Sequence, residues 1–274
     1  MEKSEIVRKI EDFAPLETQE KWDCSGWLVE TNNQDVKKIM LCLTVTDDIV
    51  RQAKAHGCDM IVSHHPLFVV PLAFNPSPQG GRGCHEVTGE GDKSPKLLDI
   101  YCAHTNLDKA NGGTTDTLVN TIFAKRGVTC QPSQDNDFLR YVEVEISVEE
   151  LLENLKTISP NLRYVNNFGT KTLKKIAFCA GSGTEFIQEA FENGADAFVT
   201  GDLKFHTALD SPIVVFDIGH FESEILVLPV FEQIIGDEVE YVYAKEMSPF
   251  KYLRYTFPVF FCFVIRINVV DCII

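Results

Sequence analysis

The sequence predicts an α/β fold of two pseudo-symmetric lobes that face a central cleft. First, apolar runs at 38–43 and 60–62 flank a helical stretch at 47–56 closed by Gly57, which makes a βαβ unit with parallel strands. Second, the unit recurs: residues 39–65 align without gaps onto 176–202, with Ile39/Ile176, Cys42/Cys179, Ala53/Ala190, Gly57/Gly194, Asp59/Asp196 and Val62/Val199 identical. Third, one more strand follows each copy, at 97–103 and 212–219, and matching His104 with His220 sets an offset of 116 there against 137 before it. A duplicated βαβ-β unit therefore organises the chain.

The remaining elements follow in order. A first helix spans about 4–13, with Ile6, Ile10 and Phe13 on one face and Pro15 ending it. The extra residues of the first copy fall at 71–95, where four prolines and five glycines predict an irregular loop of the kind that covers sites. Between the units come a helix at about 114–126, a strand at 141–146, and a helix opened by Ser147 with Glu150 three places on, a capping box. Strands at 162–165 and 174–180 lead into the second copy. A helix at about 222–235, kinked at Pro229, and a strand at 239–243 close the fold. The expected domain covers 1–253, with lobe one about 1–130 and lobe two about 131–253, followed by a hydrophobic tail at 254–274. Arg266, Asn268 and Asp271 interrupt that tail before it reaches the ~20 residues that span a bilayer, so no membrane helix is expected.

Composition narrows the function classes. With 25 basic against 40 acidic side chains the net charge is −15, which argues against a nucleic-acid or anionic-membrane footprint. Nine cysteines are odd in number and form no Cys-x-x-Cys pair, a pattern expected of buried thiols in a reducing compartment. The charged, helical N-terminus does not read as a signal peptide, and a cytoplasmic protein is expected.

Three strand ends carry chemistry: His64-His65-Pro66, His104 with Asp108, and His220 with Glu224. In open α/β sheets ligands gather at the carboxyl ends of strands, and duplicated lobes bring such ends together. Imidazoles with carboxylates suit a borderline divalent ion such as zinc, iron, manganese or nickel better than calcium or magnesium. The donors exceed what one catalytic zinc takes, so two divalent transition-metal ions per chain are expected, roughly 3.5–4 Å apart and sharing a bridging water that acts as nucleophile in hydrolysis. Each member also has a plain reading: a structural turn for the pair, an acidic helix start for Glu224, and turn chemistry before Asn111-Gly112-Gly113 for Asp108. His104 reads as ligand, as hydrogen-bonding support or as a polar filler. His206 sits in the loop equivalent to the His pair and reads as a proton shuttle or substrate contact, with Asp202 orienting it or capping the next turn. His56 reads as a cation at a helix C-terminus, and Trp22 and Trp27 as core or interface aromatics.

Together the segments Ser63-His64-His65-Pro66-Leu67-Phe68, Ala103-His104-Thr105-Asn106-Leu107-Asp108, Thr200-Gly201-Asp202 with His206, and Gly219-His220-Phe221-Glu222-Ser223-Glu224 resemble the four signature segments of the Nif-three-like family of dinuclear-metal-centre proteins. Members are widely described as homologues of type-two GTP cyclohydrolase I. The resemblance covers about residues 6–251 and implies a metal pair held by His64, His65, Asp108, His220 and Glu224. It also implies two lobes around a central metal cleft, a toroidal homo-hexamer, and a metal-dependent hydrolase acting on a small molecule or nucleotide. The alternative is a non-catalytic metal-binding or regulatory assembly. Two departures stand out: the family's Trp-Asp-Asn segment is Trp22-Asp23-Cys24 here, and the tail has no counterpart.

Overall fold

The computed structural model describes residues 1–66, 87–88 and 98–252. The tail at 254–274, and the predicted loop at 71–95 apart from 87–88, lie outside those residues. In chain order the elements are α1 (Lys3–Phe13), β1 (Gly26–Glu30), β2 (Lys38–Thr44), α2 (Asp47–Ala55), β3 (Met60–His65), β4 (Val87–Thr88), β5 (Asp99–Cys102), α3 (Thr105–Lys109) and α4 (Thr114–Ile122). They continue with β6 (Gln131–Pro132), β7 (Arg140–Ser147), α5 (Val148–Lys156), β8 (Arg163–Val165), β9 (Thr172–Phe178), α6 (Ile187–Glu192) and β10 (Ala197–Thr200). Last come α7 (Phe205–Leu209), β11 (Val214–Asp217), α8 (His220–Glu224), α9 (Leu228–Ile235) and β12 (Glu240–Tyr243).

Two six-stranded sheets result, ordered β12-β2-β3-β5-β1-β4 and β6-β7-β9-β10-β11-β8. Their centres match. β2, β3 and β5 run parallel with antiparallel β1 beside β5, as β9, β10 and β11 run parallel with antiparallel β8 beside β11. The match extends to register, since Ile39 faces Met60 and Ile176 faces Ala197, both 137 residues on. The turn between helix and strand repeats as well. Gly57 and Gly194 take positive φ (68° and 78°), and the Asp59 and Asp196 carboxylates accept from equivalent amide pairs, those of Lys37 and Lys38 and those of Lys174 and Lys175.

On the third strand the ladder corrects the sequence alignment. Met60 faces Asp99 and Ala197 faces Val214, an offset of 115, so His104 corresponds to Gly219 and not to His220. Matching the two His-x-x-x-acid motifs had favoured chemistry over backbone count, and one residue of slip turns a side chain to the other face.

Apolar residues alternate along each strand and divide between the faces. Ile39, Leu41, Met60 and Val62 meet Ile6 and Ile10 of α1, whereas Met40, Cys42 and Ile61 meet Ile49, Val50 and Ala53 of α2. Ile176, Phe178 and Val199 pack under α4 and α5, while Ala177 and Phe198 pack under α6. Each fully buried Val, Leu, Ile, Met or Phe among them contributes about 1.5–3 kcal/mol.

The expected second lobe, about 131–253, loses its last elements to the first. β12 pairs in parallel with β2, and Leu228, Val230, Phe231 and Ile235 of α9 join the α1 side of the first core. This covers the β2 edge, which would otherwise expose unpaired amides and carbonyls. The single kinked helix expected at 222–235 is α8, a 3-10 turn (Ile225–Val227) and α9, with Pro229 in the first turn of α9 where its missing N–H costs nothing. Ser147 does cap α5, accepting from the Glu150 amide at 3.0 Å. No helix among the described residues is long and apolar enough to cross a membrane.

Cys42, Cys58, Cys102, Cys130 and Cys179 are free thiols, but Cys24 is disulfide-bonded, which corrects the expectation of thiols throughout. Cys24 precedes β1 and lacks the apolar strand setting that buries Cys42 and Cys102.

Candidate metal centre

Strand β3 does not stop at Val62 but runs through both histidines, with His65 paired to Thr44 of β2. Alternation then sends the two rings in different directions, and each is held by its Nδ1. His64 Nδ1 lies 3.0 Å from the Ala103 carbonyl and His65 Nδ1 lies 2.7 Å from Thr44 Oγ1. His104 Nδ1 is 2.8 Å from Asp23 Oδ1, and His220 Nδ1 is 2.8 Å from Asp202 Oδ2. The acceptors on Nδ1 of His64, His104 and His220 favour the Nδ1–H form and leave Nε2 to an ion, and the Thr44 hydroxyl can serve His65 in the same way.

The carboxylates stand among these rings. Glu224 Oε2 is 2.8 Å from His65 Nε2 and 3.0 Å from His220 Nε2, and Glu224 Oε1 is 3.8 Å from His64 Nε2. Asp108 Oδ1 is 3.4 Å from His64 Nε2 and accepts a hydrogen bond from the Thr114 hydroxyl. Backbone must come close for Glu224 to fit. A Cβ on Gly181, whose φ is 68°, would stand 2.1 Å from Glu224 Oε1, so only glycine serves there.

Ligand-type atoms form three overlapping sets, each within 4.8 Å: His64, His65 and His104; His65, His220 and Glu224; His64, Asp108 and Glu224. All five residues of the expected ligand set are therefore brought together, and His104 joins them. The donors fit a transition metal on a further ground. His64 is fully buried, yet its Nε2 has no hydrogen-bond partner, a costly state that a cation would relieve.

Charge in the cluster is mutually arranged. Burial opposes protonation of His64, but Asp108 and Glu224 outweigh it and raise its pKa to about 9. Burial likewise opposes charge on His220, and the Glu224 and Asp202 carboxylates raise it to about 10. His65 goes the other way, pushed down by burial and by His64 and His104. Glu224 is held well below the usual carboxylate range, against its burial, by His220, His64 and His65. Burial and the nearby Glu224 charge push Asp108 up.

The structure does not bring His206 to the cluster. It lies exposed on α7 against the Phe205 ring, 5.3 Å away. Asp202 orients His220 instead, from a left-handed φ of 57° that aspartate tolerates better than most residues. Sequence reading missed Asp23 as well. Its carboxylate binds His104 and the Thr105 amide and hydroxyl, and these contacts hold it below its ordinary range despite burial. The Trp-Asp segment of the resemblance was the signal that could have found it. Trp22 is no core residue: it stands 68% exposed, edge-on to His104 at 6.1 Å. Trp27 does pack inward, against Tyr101 at 5.2 Å. Since Asp202 is the group that aims His220, Asp202→Asn is expected to weaken metal affinity about 10–100-fold while leaving the fold intact. Competition with a chromogenic chelator measures this, and unchanged affinity would remove the aiming role.

A cavity of about 670 Å³ opens over the cluster, reaching His65, His104, Asp108, His220 and Glu224. Fold and site together define a two-lobed α/β protein with a histidine–carboxylate cluster able to bind metal at converging strand ends. The sequence profile of the DUF34/NIF3 (NGG1p interacting factor 3) family matches residues 1–249, and the chain belongs to that family. A "GTP cyclohydrolase 1 type 2 homolog" of Clostridium perfringens is 32% identical over 92% of this chain and 100% of its own. The NGG1-interacting factor 3 of Saccharomyces cerevisiae is 26% identical over 74% of this chain and 78% of its own. Among solved structures, reduced HcgD from Methanocaldococcus jannaschii superposes with a TM-score of 0.70 at 25% identity, covering 90% of this chain and 98% of that one. A hypothetical protein of Staphylococcus aureus gives 0.72 at 21% identity, covering 92% and 99%, and shows the fold alone.

Proposed function

We propose that this chain binds two divalent transition-metal ions and acts as a metal-dependent hydrolase on a small molecule. The observation that carries the reading is the surplus of donors: four imidazoles and two carboxylates, in three overlapping sets, are more than one ion takes. His64, His65 and Asp108 of the first lobe and His220 and Glu224 of the second would hold the pair, with Glu224 central because its two oxygens face different histidines. Bound ions supply Lewis-acid activation of water and of an electrophile. The chain's own residues do the rest. Asp23 keeps His104 aimed at the cluster from the cavity side, where it is placed to move a proton. Zinc, iron, manganese and nickel all suit the donor types. The names of the curated relatives point those proteins towards GTP, and a nucleotide therefore belongs among the compounds to be tried. A ring of six chains, as the resemblance implies, is part of the same proposal.

Metal analysis of protein purified without chelator, beside His65→Ala, tests it. About two ions per chain are expected in the parent, falling to one or fewer in the variant, and under one ion in both would defeat the reading. Screening the loaded protein against nucleotides, phosphoesters and amides then separates the alternatives. Full occupancy with no turnover favours a non-catalytic metal-binding or regulatory assembly.

A further inference from the structure

The metal-ligand residues lie at the floor of the cavity, and the wall above them is of a different character. Trp22 rises on the first-lobe side, largely exposed and edge-on to His104. On the second-lobe side Phe138 and Phe186 stack with centroids 5.9 Å apart and planes 18° from parallel. Flat apolar surface thus flanks the site on both sides.

The charged wall residues are Glu20, Lys109, Asp135, Asp137 and Glu185. Lys109 is already neutralised, its Nζ lying 2.6 Å from Glu20 Oε1 and 5.0 Å above the Phe138 ring. Asp135, Asp137 and Glu185 make no ion pair among the described residues and are exposed. Among the described residues the mouth is therefore negative, on a chain whose net charge is −15. It sits above His65, Asp108, His220 and Glu224, behind which His64 Nε2 is fully buried and without a hydrogen bond.

We propose that the cavity takes a ligand with a metal-chelating head and a flat body bearing a cationic or neutral group, and that it disfavours bodies carrying further negative charge, a nucleoside triphosphate included. This rests on the metal reading above and adds the ligand class. An anionic head is attracted locally by bound ions, but only the head reaches them. Beyond the floor an ammonium gains from three unpaired carboxylates and from aromatic faces, of which Phe138 already accepts the Lys109 ammonium. A triphosphate arm meets the same carboxylates with the opposite sign.

The test uses the metal-loaded full chain and three probes with one chelating head: 4-(aminomethyl)benzohydroxamate, benzohydroxamate and 4-carboxybenzohydroxamate. Affinities by calorimetry at low salt are expected to fall in that order, with about tenfold or more between the cation and the anion from three exposed charge pairs. The spread should shrink below about threefold in Asp135→Asn/Asp137→Asn/Glu185→Gln, at unchanged metal content. Trp22→Ala should weaken all three alike, by about fivefold. GTP should fail to displace the neutral probe at equal concentration. Equal affinities, tightest binding of the carboxylate, displacement by GTP, or no binding to a chain with full metal content would each overturn the ligand class and leave the metal reading standing. A chain without metal would instead overturn the metal reading, and this proposal with it.

Discussion

Glu224→Gln is expected to destabilise the metal-free protein by about 3–5 kcal/mol near pH 6, because three imidazoles would surround an amide where a buried carboxylate stood. The pH dependence follows from the directions of the shifts. Glu224 is depressed in the folded state, so its contribution is present above the unfolded carboxylate value of about 4.3 and is lost as pH falls through the lower folded value. His64 and His220 are raised to about 9 and about 10. Their contribution is complete below the unfolded imidazole value of about 6.5 and is lost as pH rises through the folded values. Metal-free parent protein should therefore hold this stability between roughly pH 4.5 and 6.5 and shed it on the way to pH 10, while the variant follows a flatter profile. Urea titrations of chelator-treated protein across that range read both effects. A variant with the parent's midpoint at pH 6 would mean the carboxylate does not hold the cluster together.

Arg140→Ala should rank with it. Arg140 is fully buried, with Nε 2.7 Å from Asp116 Oδ2. Its remaining donors reach the carbonyls of Asp137, Leu139, Lys109 and Ala110, so one side chain of β7 ties the end of α3 to the start of α4. Removing it strands a carboxylate and four acceptors, at a cost of about 3–5 kcal/mol, or roughly 10 °C in Tm for a chain of this size. Arg140→Lys keeps the charge but not the planar fork, and should recover only part of the loss. Thermal unfolding of the three proteins measures it, and a shift under about 2 °C for the alanine variant would show that water replaces the lost bonds.

Repetition made much of this legible. The 137-residue offset carried strand, helix, helix-ending glycine and capping aspartate together, because each is set by local chemistry that survives in sequence. The candidate metal-binding cluster was legible too, as histidines and acids at strand ends are few and conspicuous. What was missed is non-local. Nothing near Asp202 says that it serves His220 and not His206, since its direction comes from one left-handed backbone angle. Strand β1, from Gly26 to Glu30, carries too few residues to declare itself and is fixed by pairing with β5. The return of β12 to the first sheet obeys edge-strand economy, which is a property of the finished sheet and not of residues 240–243.

That return governs the order in which the molecule can be completed. Glu246, just past β12, accepts from the Leu43 and Thr44 amides, 203 and 202 residues away in sequence. Thr44 in turn holds His65. On the ribosome, β2 keeps a bare edge and α1 lacks the apolar partner that α9 provides until nearly the whole fold has been synthesised. The second sheet, whose strands all lie within residues 131–217, can close earlier. Assembly of the candidate metal centre is thereby tied to the end of translation: a prematurely terminated chain presents histidines without the scaffold that aims them.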